Sequence, residues 1–245
     1  FRLIIGKSQS QVVATYLWDG LVIGLAIGLA GVGLSLTYSI LKFANFAHGD
    51  MITAGGFSGW VAVFAVAGVG KFDMKNLLLV GAARPINVTE LGISVSTTPV
   101  VILFGLIVAI IGTILLTLFI DRFVFRPMRH HNDGIALLIA SIGVSLALRY
   151  GLAFVFKTQN RGLTAASLTA SYSVPVGTGS VQIDLGEITL VLVAIALMVS
   201  VHVFLQYSTL GKAMRAMADN RDLALITGIP TEKVVRATWI IGGAL

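Results

Sequence analysis

Apolar residues gather along this chain in five long blocks, with polar residues confined to the stretches between them. The blocks lie near Leu17–Leu41, Met51–Val69, Thr98–Ile120, Gly134–Phe156 and Ile188–Gln206. Each reaches or approaches the roughly 20 helical residues that cross a hydrocarbon layer of about 30 Å. A sixth apolar stretch begins around Val234 and is still running at Leu245. Half a span leaves backbone groups unsatisfied in lipid, so the pattern predicts a chain truncated at its C-terminus: five spans plus the start of a sixth. Because the chain opens on Phe1 rather than Met, its natural N-terminus is expected further upstream. Phe1 to Gln11 holds Arg2 and Lys7 without a long apolar run, which gives no cleavable signal. The predicted fold class is all-α, a polytopic transmembrane helical bundle forming one domain over residues 1–245.

Composition excludes a soluble alternative. Apolar residues make up 56% of the 245 positions and charged residues 11%, against about 25% charged in ordinary globular chains. Mean hydropathy is +0.94. The 17 Lys and Arg outnumber the 11 Asp and Glu, and in a membrane chain that excess reports topology first. Nucleic acid is therefore not an expected partner. Absent Cys removes disulfide and thiolate chemistry. Asp121–Asp133 holds Arg122, Arg126 and Arg129, and Tyr207–Arg236 holds Lys212, Arg215, Arg221, Lys233 and Arg236. Both loops are expected on the cytoplasmic side. The N-terminus and the loops Gly70–Ser96 and Lys157–Glu187 then face outward, although these carry Lys71, Lys75, Arg84, Lys157 and Arg161. The sequon Asn87-Val88-Thr89 falls on the first of them.

Small residues recur in the spans. Gly20, Gly24 and Gly28 share one helical face, as do Gly55 and Gly59, which predicts close helix packing. Ala30–Leu36 also echoes Ala140–Leu146, three spans later and in the opposite crossing direction. Inverted repeats of membrane carriers have this form, and so do coincidences in Gly- and Leu-rich helices.

Catalytic motifs are missing. A phosphate-binding loop at Gly70-Lys71 fails at Ala65 and Phe72, and neither HExxH nor GxSxG occurs. His130 and His131 are adjacent and diverge on a helix, so no metal site and no cofactor are expected. His202 in span five reads as a packed, hydrogen-bonded histidine rather than a proton relay. Three features remain. The polar cluster Asn45–Asp50 is either a plain turn or broken backbone lining a pathway. Arg149 lies inside span four, where a guanidinium must snorkel outward or face a cavity. Residues 207–230 form a polar segment capped at Ser208 and Thr209, broken at Asp219-Asn220 and closed at Gly228-Ile229-Pro230. Lys212 and Arg215 share one face, and Leu223, Leu225 and Ile226 add apolar anchors. This segment suits either the lipid surface or a groove on a partner.

These residues carry a resemblance. Asn45-Phe46-Ala47-His48-Gly49-Asp50 after a Gly-rich span resembles the NFAHG[DE] signature of LivH-type permeases, membrane subunits of branched-chain amino acid ABC importers. Arg126-Pro127-Met128-Arg129 followed by Ile139–Leu146 is similar to the family's "RPLR … IATIGLSL" run. Thr209–Asn220 continuing through Ile226–Ile229 is similar to its "LGRAxRAxAEDxxxAxLxGI" segment. The resemblance covers Leu17 to Leu245 and implies the ABC importer permease fold. It places Asn45, His48, Gly49, Asp50, Ser141, Gly143, Ser145 and Arg149 along a substrate pathway. Gly211, Lys212, Arg215, Asp219, Leu223 and Gly228 would couple to a cytoplasmic ATPase.

The implied partners are a second, LivM-like permease, two ABC ATPase subunits, an extracytoplasmic substrate-binding protein delivering to Lys157–Glu187, and membrane lipid. The implied place is the plasma membrane, N-terminus outside. The chain itself would be no enzyme, since its partner ATPases hydrolyse ATP. The family often has Gln near Arg149, so the charge there implies altered substrate preference. Its members also continue past Leu245, which implies that this stretch is not a complete permease. Other readings stay open: the same machinery carrying urea or short amides, or an ion-coupled secondary transporter relaying through Asp50, His48, His202 or Arg149.

Overall fold

The computed structural model describes residues 9–67, 92–129, 134–157, 169–177 and 179–245. Gly70-Lys71, Lys75, Arg84, the Asn87 sequon, His130, His131 and Arg161 lie outside the described residues.

Five helices match the apolar blocks in number and place: α1 (Gln9–Leu41), α2 (His48–Ala67), α3 (Pro99–Ile120), α5 (Gly134–Phe156) and α6 (Leu185–Tyr207). Between 11% and 33% of each span is buried inside the chain, so most of their apolar surface is left for lipid or for other chains. Helix α1 has 33 residues, or about 50 Å at 1.5 Å per residue, and overruns the bilayer. It starts at Gln9 rather than the expected Leu17. Its first turns are tied to the rest of the chain: Gln11 Nε2 donates to Ser180 O at 2.6 Å and Trp18 Nε1 to Glu187 Oε2 at 2.7 Å.

Two expected loops are helix instead. Helix α2 begins at His48, inside the polar cluster. Asn45 starts it, its carbonyl accepting from His48 N at 3.2 Å and its Oδ1 from Ala47 N at 3.1 Å. Asp50 in the first turn suits the positive end of the dipole. Helix α3, opened by Pro99 where no N–H is needed, does not stop at Ile120. It runs on through a π-helical turn, Asp121–Phe125, closed by Arg126 N on Asp121 O, and a further turn, α4 (Arg126–Met128). Asp121 is tolerated there because Arg129 Nη2 lies 2.8 Å from its Oδ1.

The segment between α5 and α6 contains an antiparallel hairpin, β1 (Ser171–Val176) with β2 (Gly179–Asp184), pairing Tyr172 with Ile183 and Val174 with Val181. Its period-two alternation is short and mixed, and it escaped the reading of this stretch as loop. The polar segment folds as expected: α7 (Thr209–Asp219), α8 (Arg221–Ile226), then α9 (Thr231–Ala244), which is the sixth apolar stretch.

Helix α2 packs along α3 through small residues. A Cβ on Gly59 would lie 2.6 Å from Gly105 O and 2.8 Å from Ala109 Cβ, while Gly55 meets Thr113. The other glycine row differs from expectation: among the described residues a Cβ on Gly20 or Gly24 would meet nothing within 4 Å, and one on Gly28 would lie 3.2 Å from Met198. His202 is exposed on α6 without a hydrogen bond among the described residues, rather than packed. The main core lies at one end, where Phe125 stacks on Trp239 with centroids 5.4 Å apart and Phe43 meets Phe125 at a tilt, 5.3 Å away. Met51, Met214, Met217 and Val234 fill in around them. Trp60, Val63, Phe64 and Ile93 form a smaller core towards the other end of α2.

Candidate functional site

The segment between α1 and α2 is fixed from both sides. Lys42 ends α1 in the left-handed region, φ 58°, which turns the chain back towards the bundle. Its Nζ donates to Ala218 O at 2.6 Å, a carbonyl in the last turn of α7 where a cation also meets the negative end of the helix dipole. On the other side α5 presents Ser141, Ser145 and Arg149, one turn apart. Ser141 Oγ accepts from Phe46 N at 3.2 Å. Ser145 Oγ donates to Asp50 Oδ2, and Arg149 Nε lies 3.2 Å from Asp50 Oδ1. The two serines and Asp50 are buried, whereas the Arg149 side chain is 65% exposed. Arg149, expected to snorkel outward or face a cavity, keeps an exposed side chain while its Nε holds the Asp50 carboxylate.

A cavity of about 620 Å³ opens between α1 and this segment. Asn45, His48 and Gly49 border it from one side, with Gly31, Ser35 and Tyr38 of α1 facing them. His48 Nε2 lies 3.0 Å from Ala30 O, which holds the ring beside the cavity; its Cε1 would lie 3.2 Å from a Cβ on Gly33. Asp50, Ser141, Ser145 and Arg149 do not border this space; Ser145 and Arg149 join α5 to Asp50 of α2, and Ser141 joins α5 to the segment before α2. Gly143 faces away on the exposed side of α5. The eight residues singled out for a pathway thus divide into three that line a cavity, three that clamp α2 to α5, Ser141 that holds the segment before α2, and Gly143 that does none of these.

Sequence reasoning missed Lys42 and the α1 wall. For Gly31, Ser35 and Tyr38 a signal existed, since small and polar residues recur there at helical spacing. Lys42 had none beyond its place before the motif.

At the same end of the molecule, α7 buries Gly211, Met214 and Met217 against the bundle. Gly211 is required there: a Cβ would lie 2.6 Å from Leu205 Cα and 2.7 Å from Leu205 O. Ser208 caps the helix, its Oγ accepting from Gly211 N at 2.8 Å. The apolar face of α7 is thereby used up inside the chain and is not available to lie on lipid. Lys212, Arg215 and Asp219 remain exposed, with Arg215 Nη1 donating to Gln206 Oε1 at 2.9 Å. Helix α8 adds Leu223 and Ile226, 57% and 83% exposed. Gly228, at φ 82°, turns the chain into α9. The result is a mixed charged and apolar surface, presented on rigid helices and backed by the main core. Among the described residues no group of acidic, His or Cys side chains is placed to hold a metal ion.

A family model described as "Branched-chain amino acid transport system / permease component" matches residues 16–245. The chain is 27% identical over 233 residues to the high-affinity branched-chain amino acid transport system permease protein LivH of Salmonella typhimurium, covering 94% of this chain and 66% of that protein. It is 25% identical over 227 residues to the corresponding permease protein BraD of Pseudomonas aeruginosa, covering 93% and 66%. LivH of Escherichia coli K12 is 26% identical over 233 residues, again across 66% of its length. The chain thus spans 66% of the length of these relatives. No solved structure matches it.

Proposed function

This chain belongs to the branched-chain amino acid transport permease family, and from that premise we propose that it is the translocating subunit of an ATP-driven importer for branched-chain or related small amino acids. It is a multi-pass membrane protein. In this reading residues 1–245 act as one permease domain in the plasma membrane with the N-terminus outside. A second, LivM-like permease forms the other wall of the path, two ABC ATPases hydrolyse the ATP, and an extracytoplasmic binding protein delivers substrate.

The observation that carries the reading is the junction of the Asn45–Asp50 segment with α7. Lys42 ties the start of that segment to the end of α7, and Met214 and Met217 share a core with Phe43, Ala47 and Met51. Displacing α7 therefore displaces the cavity wall formed by Asn45, His48 and Gly49. Gly211, Lys212, Arg215, Asp219, Leu223 and Gly228 form or shape the surface that receives the ATPase. Asp50, Ser141, Ser145 and Arg149 keep α2 and α5 moving together, a positioning role behind the pathway rather than along it. Ion coupling is the weaker reading, because Asp50 is already engaged by Ser145 and Arg149.

Affinity purification of the full-length protein from its membrane tests this. An ATPase and a second permease should accompany it, and the ATPase alone should be lost in Arg215→Glu. A homo-oligomer whose uptake needs an ion gradient and no ATP would overturn the reading. Uptake that Leu, Ile and Val fail to compete would overturn the substrate.

A further inference from the structure

A second polar recess lies away from the Asn45–Asp50 segment. It is a cavity of about 290 Å³ between the π-turn and the start of α9, bordered by Leu118, Asp121, Arg122, Arg126, Glu232 and Arg236. Its charges do not balance. Asp121 is held by Arg129, and Arg126 Nε sits 3.4 Å from Glu232 Oε2. Arg122 and Arg236 are left exposed, with no hydrogen bond or ion pair among the described residues. Arg129 is paired with Asp121 through Nη2, and its buried Nε and Nη1 have no hydrogen-bond partner among the described residues. Guanidinium groups gathered at one opening repel one another until an anion sits between them, and their planar forks match phosphate oxygens.

The surface leading to this opening is apolar. Ile111, Leu115 and Phe119 follow one another along α3 a turn apart, each more than half exposed at 51%, 62% and 58%. Phe123 continues the stripe, its ring centroid 4.7 Å from that of Phe119. A free anion would neutralise the arginines and leave this stripe bare. An amphiphile with an anionic head covers both, and basic recesses between membrane helices take such head groups.

The geometry points to a binding site for the phosphate head group of an anionic membrane lipid, held between Arg122 and Arg236 with its acyl chain along Ile111, Leu115 and Phe119. The inference requires only that the chain sits in a bilayer; it does not rest on the substrate or on the ATPase reading.

The test uses the full-length permease purified with its accompanying subunits, titrated with phosphatidylglycerol, phosphatidylcholine or inorganic phosphate. Bound lipid is counted by native mass spectrometry. Phosphatidylglycerol should bind roughly tenfold more tightly than phosphatidylcholine, and R122Q/R236Q should erase that preference. Lys233→Gln, a charge loss at an exposed position outside the recess, should preserve it. Undiminished preference in R122Q/R236Q, or an equal loss in Lys233→Gln, would overturn the site. Displacement of the lipid by inorganic phosphate at the same concentration would overturn the lipid as occupant in favour of a free anion. Should the double variant aggregate, Arg236→Gln alone gives the same decision from half the charge.

Discussion

Ser145 on α5 hydrogen-bonds the carboxylate of Asp50 on α2, and it does so from inside the protein, while Arg149 reaches the same carboxylate from an exposed position. The two contacts differ in worth. Each removal leaves one Asp50 oxygen without its donor, but the Ser145 side is closed to solvent whereas the Arg149 side chain is 65% exposed, so water replaces the guanidinium more readily.

Ser145→Ala is therefore expected to lower stability by ~1–3 kcal/mol, and Arg149→Gln by less than ~1 kcal/mol. Denaturant or thermal unfolding of the purified protein in detergent reads both. Equal losses would mean that the ion pair, not the buried hydroxyl, holds α2 to α5.

Lys42 combines a left-handed backbone with an ammonium on Ala218 O. Lys42→Gly keeps the backbone, which glycine adopts without strain, and removes only the tether. Assembly and ATP hydrolysis by the complex should persist while uptake per ATP drops by roughly tenfold. Simultaneous measurement of substrate uptake and phosphate release in proteoliposomes gives the ratio; an unchanged ratio removes Lys42 from the coupling path.

Gly59 lies against the backbone of α3, and Gly20 faces open space. Gly59→Ala must push α2 from α3 and should cost about 1–3 kcal/mol by overpacking. Gly20→Ala meets no clash and should hold or raise the stability of the isolated chain by up to ~1 kcal/mol, because alanine favours the helix. Comparing midpoints of unfolding for the two variants decides it.

Leu223 and Ile226 are exposed apolar side chains on α8, outside the core. Leu223→Asp and Ile226→Asp should leave the helix content and unfolding midpoint in place and reduce ATPase recovery on co-purification by roughly tenfold or more, as for a desolvated anchor residue. Full recovery of the ATPase from both variants would place its docking surface elsewhere.

The spans were legible because a membrane helix must be apolar over a fixed length, and α2, α3, α5 and α6 fall within a few residues of the hydrophobic blocks. Their ends were less so, since the lipid boundary and the end of a helix are different things. Polar residues at Gln9, Asp50 and Asp121 marked the first and not the second; each continues a helix because a tertiary partner receives it: Ser180 O through Gln11, Ser145, and Arg129. Two of these pairings join residues more than 90 positions apart, and no local pattern reports them. The motif around Asn45 was visible, but its division into cavity wall and helix clamp depends on which way each side chain leaves α2. The repeat of Gly20 and Gly24 misled for a related reason: spacing identifies a face that permits close packing, without saying what lies against it.

The glycine at position 211 has a mechanical consequence. With no side chain on Gly211, the start of α7 meets the backbone of α6 at Leu205 directly. Helix α6 has 23 residues, which makes it an arm of about 35 Å. Its far end carries Glu187, clasped by Trp18 of α1 at 2.7 Å. In the proposed importer, a displacement of α7 would therefore be carried along α6 to this clasp, and so to α1 near Trp18.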